Sequence, residues 1–168
     1  KATPDGYTVL LVANSLAINS ALRKLLPYDA EKDFAAITSV ATLPLMLVVN
    51  AAMPVHSVKE IIALARSKPG ELTFGSGGTG SLPHLAGELF KSMSGINIMH
   101  VPYRGVVLSL IDVAGGRISM SFPNLPVGIS IMKSHTVRAI AVTSTKRVRA
   151  LPETPTMSEA GVPGYEAV

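Results

Sequence analysis

Short apolar segments alternate with amphipathic segments along almost the whole chain. The apolar runs are continuous and rich in β-branched residues, a pattern typical of buried strands. They occupy residues 8–13, 37–50 (with a break at Pro44), 72–74, 96–101, 118–122 and 137–143. Strands that alternate with helices indicate an α/β fold with a parallel or mixed sheet and right-handed crossovers.

The segments between these runs carry helix signals. Asn14 and Ser15 are good caps for a short helix, and Ser57 with Glu60 forms a capping box that opens another. Gly95 ends a helix that begins after a glycine-rich segment. Further helices are expected at residues 106–114, after Pro126 and at 156–160, and a turn at residues 4–6.

In such a sheet, a ligand binds beyond the carboxyl ends of the strands. The loops to consider therefore follow Ala13, Phe74, Val101 and Phe122. They offer Gly, Ser, Thr, Asn and one Arg, whereas an enzyme needs an acid, a base or a nucleophile where its loops converge. This inventory favours a binding protein over an enzyme.

Composition narrows the choice of partner. Hydrophobic residues make up 48% of the chain and charged residues 15%, which favours a packed core over disorder. The net charge of +4 suits an anionic partner, but the basic residues are scattered and there is no Trp to stack on bases, so we expect no nucleic acid. The absence of Cys excludes disulfides and thiolate metal sites.

The glycine-rich loop at residues 75–81 (GSGGTGS) carries the clearest chemistry. It matches G-x-G-x-x-G, but no acidic residue ends the next strand and no Lys follows, which disfavours dinucleotide and P-loop sites. Exposed backbone N–H groups at a helix N-terminus can hold a carboxylate, and Ser76, Thr79 and Ser81 add hydroxyl donors. The alternative is a tight turn in which Ser81 is only the N-cap.

The other polar candidates are weaker. His84 and Glu88 have the spacing of metal ligands on a helix, but without a further His or carboxylate cluster we predict no metal site. His84 is instead a candidate donor to an anion. Arg104 could pair with a carboxylate or be an ordinary surface Arg. The remaining His56, His100 and His135 have no partner at a telling spacing.

Many short segments resemble the Bug/TctC family, the extracytoplasmic binding proteins of tripartite tricarboxylate transporters. In the family's order they are PDGYT at 4–8, LAIN at 16–19, LPYD at 26–29, KDF at 32–34, SVKE at 57–60, KPG at 68–70, HLAGELFK at 84–91, HVPY at 100–103, NLP at 124–126, RAIAVT at 138–143 and AGVPGY at 160–165. The family commonly has Asp before Asn124, where this chain has Pro123, and this change argues against an amino-acid ligand.

The resemblance implies a type II periplasmic-binding-protein fold, in which two α/β domains surround a cleft, incomplete here at both termini. Residues 1–49 and 142–168 would be parts of domain 1, and residues 50–141 would form domain 2. By analogy the loop from Ser76 to Ser81 grips a carboxylate together with His84. The predicted binding residues are Asn14, Ser15, Ser76, Gly78, Thr79, Gly80, Ser81, His84, Arg104 and Asn124.

The function that the resemblance implies is capture of a small organic carboxylate in the periplasm for membrane transporter subunits. We expect a monomer without cofactor, metal or nucleic acid. An alternative is a ligand-sensing module of the same fold that acts through a signalling partner. A nucleotide-dependent enzyme is a third possibility, which the missing acidic residue disfavours.

Overall fold

A computed structural model describes residues 3 and 5–168, so Pro4 of the predicted turn lies outside the described residues, as do Lys1 and Ala2. The chain divides into two compact units, Lys1–Thr38 and Ser39–Val168. Among the described residues of the first unit, the regular element is helix α1 (Ser15–Leu22), which follows Asn14 as predicted.

The strand predicted at residues 8–13 does not form. In this segment Val9 is 72% and Leu11 80% exposed, and the backbone is irregular. A strand needs a neighbour to satisfy its backbone N–H and C=O groups, and the described residues of the first unit contain no second strand. The β-branched composition of residues 8–13 is therefore not enough by itself to form a strand.

The second unit is built on a mixed sheet, which confirms the predicted α/β class. Its described strands are β1 (Met46–Asn50), β2 (Thr73–Ser76), β3 (Met99–Pro102), β4 (Met120–Ser121) and β5 (Val137–Val142), in the order β3-β2-β4-β1-β5. Strand β2 pairs in parallel with β3 and β4, whereas β1 pairs antiparallel with β4 and β5.

Four helices connect these strands where the sequence predicts them. They are α2 (Val58–Ser67), α3 (Leu82–Ser94), α4 (Val106–Ala114) and α5 (Leu125–Met132). The capping box of α2 is present, since Ser57 accepts the Glu60 N–H; the Glu60 carboxylate itself reaches back to His56 N. At the end of α3, Gly95 has a φ of 63° and provides the left-handed cap.

The main core lies between the sheet and helices α2 and α3. Phe74, Phe90 and Phe122 are fully buried there with edge-to-face ring contacts. The C-terminal segment contributes Met157 and Tyr165 to the same core, and the Tyr165 hydroxyl donates to Ala86 O at 2.8 Å. Tyr165 therefore fastens this segment to the middle of α3.

The helix predicted at residues 156–160 is instead a single turn. Its capping box does form, because Thr156 and Glu159 each bond the other's backbone N–H at 3.0 Å. The chain then reverses, with Val162 N bonded to Met157 O and Gly161 at a φ of 120°. Burial of Met157 and Val162 in the core favours this reversal over a longer helix.

The boundary between the two units follows Thr38, whereas the predicted domain boundaries follow residues 49 and 141. Residues 45–49 and 142–168 pack into one core with the segment between them, because β1 and β5 are paired along their length and the C-terminal segment covers the sheet. The assignment of residues 1–49 and 142–168 to a separate domain stays a prediction.

Candidate functional site

The glycine-rich loop connects the end of β2 to the start of α3. Gly78 and Gly80 have φ values of 112° and 82°, which side chains rarely adopt. A Cβ on Gly78 would lie 3.3 Å from Tyr103 O, and one on Gly77 would lie 3.4 Å from Val106 N. Two glycines thus let this loop lie directly against the connection between β3 and α4.

The N-termini of two helices consequently meet at this loop. Tyr103 N donates to Ser76 O at 3.1 Å, which ties the end of β3 to the end of β2. Helix α4 begins at Val106, next to Gly77, and α3 begins at Leu82, directly after the loop. Because the first N–H groups of a helix have no partner within it, this edge of the sheet carries positive potential.

Hydrogen bonds within the loop occupy several of the predicted donors. Ser81 is the N-cap of α3: its hydroxyl donates to Gly78 O at 2.7 Å and accepts the His84 N–H at 3.4 Å. Gly80 N lies 3.3 Å from His84 Nδ1, which keeps the imidazole against the loop. The interpretation of Ser81 as an N-cap is therefore confirmed, and its hydroxyl proton is already used.

Other donors of the loop have no acceptor among the described residues. These are the N–H groups of Gly77 and Thr79 and the Thr79 hydroxyl. Thr79 is exposed and Gly77 is half-buried, so both are accessible from outside. Backbone N–H groups that face outward beside helix N-termini are suited to an oxyanion.

His100 is a member of this cluster that the sequence analysis missed. Its Nε2 lies 2.7 Å from Ser76 Oγ, and its ring stacks on Phe74 at 4.9 Å and lies 4.2 Å from the His84 ring. Burial, and to a lesser degree the neighbouring His84, lowers the pKa of His100. Register explains the miss, because Phe74 pairs with His100 across two strands that are distant in sequence.

Two further predicted residues, Arg104 and Asn124, take no part in this hydrogen-bond network. Arg104 is exposed in the loop after β3, and Asn124 is the half-buried N-cap of α5, whose side chain makes no capping bond. Asn14 and Ser15 begin α1 in the first unit, and their place in a site stays a prediction.

Tyr103, next to Arg104, is held by Asp112. Its hydroxyl donates to Asp112 Oδ2 at 2.7 Å, and Arg117 pairs with the other carboxylate oxygen at 2.6 Å. Desolvation, followed by this hydrogen bond, raises the pKa of Tyr103 to about 12. The contact fastens the loop after β3 to α4.

The described part of the chain offers few other site types. It contains no group of three or more His, Asp or Glu side chains placed to hold a metal ion. None of its helices combines the length and apolar character needed to span a membrane. A shallow apolar concavity of about 600 Å³ lies along α3, lined by residues such as Leu82, Leu85 and Leu89.

Comparisons with known proteins agree on one family. The sequence model of the family described as "Tripartite tricarboxylate transporter family receptor" matches residues 1–168. Protein BugT of Bordetella pertussis is 34% identical over 99% of this chain and 52% of its own length. The chain spans about half the length of the curated relatives that it matches.

Solved structures give the same answer. "R. palustris Rpa4515 with adipate" is 40% identical, with a TM-score of 0.87 over 92% of this chain and 52% of that one. "Structure of a periplasmic transporter" is 38% identical, with a TM-score of 0.89 over 97% of this chain and 55% of that one. The second unit and its loops therefore have the fold of these binding proteins.

Proposed function

The chain belongs to the family of tripartite tricarboxylate transporter receptors, and on that premise we propose that it captures a small organic carboxylate in the periplasm. The carboxylate is held at the glycine-rich loop after β2. The observation that carries this proposal is a pair of N–H groups, those of Gly77 and Thr79, that have no acceptor among the described residues and lie where two helices begin.

Electrostatics favour an anion at this position. The N-termini of α3 and α4 each contribute the equivalent of about half a positive charge, and they act together because Gly77 lies against Val106. A carboxylate that accepts both N–H groups gains charge-assisted hydrogen bonds, each worth roughly 1.5–3 kcal/mol. The exposed Thr79 hydroxyl is a third donor to the same group.

Binding rather than catalysis is supported by the position of Ser76. Ser76 and His100 lie at the distance of a Ser–His nucleophilic pair, 2.7 Å. However, Ser76 is 0% exposed and its oxygen already accepts the Gly78 N–H, so a substrate cannot reach it. The Ser76 and His100 side chains instead stabilise the hydrogen-bonded loop that holds the ligand.

The cargo class follows from the loop and from the relative that was solved with adipate, a dicarboxylate. One carboxylate occupies the loop between β2 and α3. We expect the other end of the ligand to be held by the second domain of a two-domain clamp. Transfer to membrane transporter subunits, in the periplasm, completes the proposed role.

Calorimetric titration of the chain tests this proposal, with adipate, a tricarboxylate, an amino acid, NAD and ATP as ligands. We expect a Kd on the order of micromolar or tighter for a carboxylate, and no binding of the nucleotides. In ¹⁵N-resolved NMR spectra, the amides of Gly77 and Thr79 should shift most. Binding without shifts at these amides would contradict the site, and binding of a nucleotide would contradict the function.

A further inference from the structure

His100 lies on edge strand β3, next to the proposed carboxylate loop but without a contact to the Gly77 and Thr79 donors. Its ring stacks on Phe74 at 4.9 Å and lies 4.2 Å from the His84 ring. The ring is only half-buried, yet these two contacts restrict its orientation. Its Nε2 consequently has a fixed direction, toward Ser76.

The contact with His100 orients the Ser76 hydroxyl, which in turn bonds to the Gly78 backbone of the glycine-rich loop. Its hydroxyl oxygen accepts the Gly78 N–H at 3.1 Å and lies 3.2 Å from Gly78 O. One hydroxyl proton cannot serve both Gly78 O and an acceptor nitrogen on His100. When His100 Nε2 carries a proton and donates to Ser76, the Ser76 proton is directed to Gly78 O.

Gly78 gains order from such a bond, because glycine has no Cβ to restrict its backbone and nothing intrinsic holds its φ at 112°. The peptide that contains Gly78 O also contains the Thr79 N–H. A bond that fixes this peptide therefore fixes the direction of the Thr79 donor. Preorganised donors bind an anion more tightly than donors that must first be ordered.

We propose that His100 is a positioning residue of the carboxylate loop, acting through Ser76 on the Gly78 peptide. The effect on ligand affinity rests on the proposed function, whereas the effect on loop order does not. Two substitutions separate the ring from its hydrogen bond. His100→Phe keeps an aromatic ring between Phe74 and His84 but removes the bond, and His100→Gln retains a donor near the position of Nε2.

Amide hydrogen exchange of the ligand-free chain tests the proposal directly. In His100→Phe, exchange at Gly78 should accelerate about tenfold, the factor expected for one hydrogen bond, while β1 and β5 stay protected. His100→Gln should restore most of the protection. Unchanged exchange at Gly78 in His100→Phe, or equal acceleration throughout the sheet, would overturn the proposal.

A second measurement needs no substitution. Above pH 6.5 the ring is neutral, because burial lowers the pKa of His100. In ¹⁵N spectra of the wild-type chain under these conditions, the ring should carry its proton on Nε2 and not on Nδ1. A proton on Nδ1 would make Nε2 an acceptor of the Ser76 proton and overturn the proposal. If the wild-type chain does not bind adipate, the proposed function is contradicted, but the proposed role of His100 in ordering the loop is not.

Discussion

Two neighbouring parallel strands, β2 and β4, each lead into a helix, but their connections use the backbone differently. After β2 the loop contains three glycines, and the N–H groups of Gly77 and Thr79 have no acceptor among the described residues. After β4 the connection is short. It contains Pro123, which has no N–H, and at the start of α5 the Leu125 N–H donates to Pro44 O at 3.0 Å.

The difference shows that topology alone does not make a binding loop. Both connections lie at the carboxyl end of the sheet, where ligands of α/β proteins bind. The connection after β4 is fastened to the start of β1, since Met46 N also donates to Pro123 O. This connection mainly joins β4 to β1 and α5, whereas the loop after β2 keeps main-chain donors available.

Among the substitutions that test this difference between the two connections, Gly78→Val should have the largest effect on ligand affinity. The substitution places a β-branched residue at a φ of 112° and a Cβ 3.3 Å from Tyr103 O, so the loop must change shape. Loss of two charge-assisted bonds should weaken adipate binding more than about 100-fold. Calorimetry measures the affinity, and thermal unfolding confirms that the sheet is retained.

Gly95→Val is the matched control, because Gly95 also has a positive φ, 63°, but has open space around its Cβ. It reports the cost of backbone strain alone, about 1–3 kcal/mol of stability. Its adipate affinity should equal that of the wild type. Equal affinities for the Gly78 variant and the wild type would contradict the site.

The helices behind the two loops can be compared through Gly87 of α3 and Gly128 of α5. A Cβ on Gly87 would overlap the Phe74 ring, which is held between His100 and Phe122. Overpacking costs about 1–3 kcal/mol, offset by about 1 kcal/mol of helix propensity. We expect Gly87→Ala to lower the free energy of unfolding by about 1–2 kcal/mol, because the Phe74 ring is rigid and the cost lies toward the upper end of this range.

The same change at Gly128 should be nearly neutral. Its Cβ would overlap the Met46 side chain, and methionine has three rotatable bonds with which to move aside. The gain in helix propensity then compensates most of the remaining strain. Urea denaturation of both variants measures the difference, and a larger loss at Gly128 would contradict this account.

A smaller difference is expected between the two N-caps. Ser81 accepts the His84 N–H, whereas Asn124 makes no capping bond with its side chain. Ser81→Ala should therefore destabilise the chain by about 1 kcal/mol, and Asn124→Ala by less than about 0.5 kcal/mol. Equal losses in urea denaturation would mean that the two caps are equivalent after all.

The smallest effect concerns pH. Burial, followed by the charge of His84, lowers the pKa of His100 in the folded chain below its ordinary value of 6.5. The unfolded chain then binds the proton more readily. The His100 contribution to stability is thus complete above pH 6.5 and is lost as pH falls through the folded-state pKa. In His100→Phe this part of the pH dependence should disappear from urea denaturation curves, and its persistence would assign it to another group.

Sequence patterns predicted the helices of the second unit well, since their caps are local. Ser57, Ser81 and Gly95 act within a few residues of the ends that they mark. The Gly75–Gly80 pattern likewise predicted a strand followed by a tight loop and a helix. Local rules were sufficient for these helix ends, where each capping residue's backbone partner lies within one turn.

Features that depend on distant partners were not predictable in this way. The run at residues 8–13 has strand composition but forms no strand, and the capping box at Thr156 and Glu159 forms without a helix. The role of His100 needs the pairing of β2 with β3, which no spacing in the chain reveals. Asn124 was predicted from its position in the family pattern, and whether it touches a ligand stays a prediction.

The antiparallel pairing of β1 with β5 has a practical consequence for protein engineering. Met46 and Val142 are register partners, so the chain enters and leaves the sheet at points separated by about 5 Å. The ends of a longer segment are also close together, because Leu45 N and Ala167 O both hydrogen-bond to the Thr143 hydroxyl. Residues 45–167, which keep Met157 and Tyr165 in the core, are therefore a cassette that can be transplanted into a surface turn of a reporter enzyme.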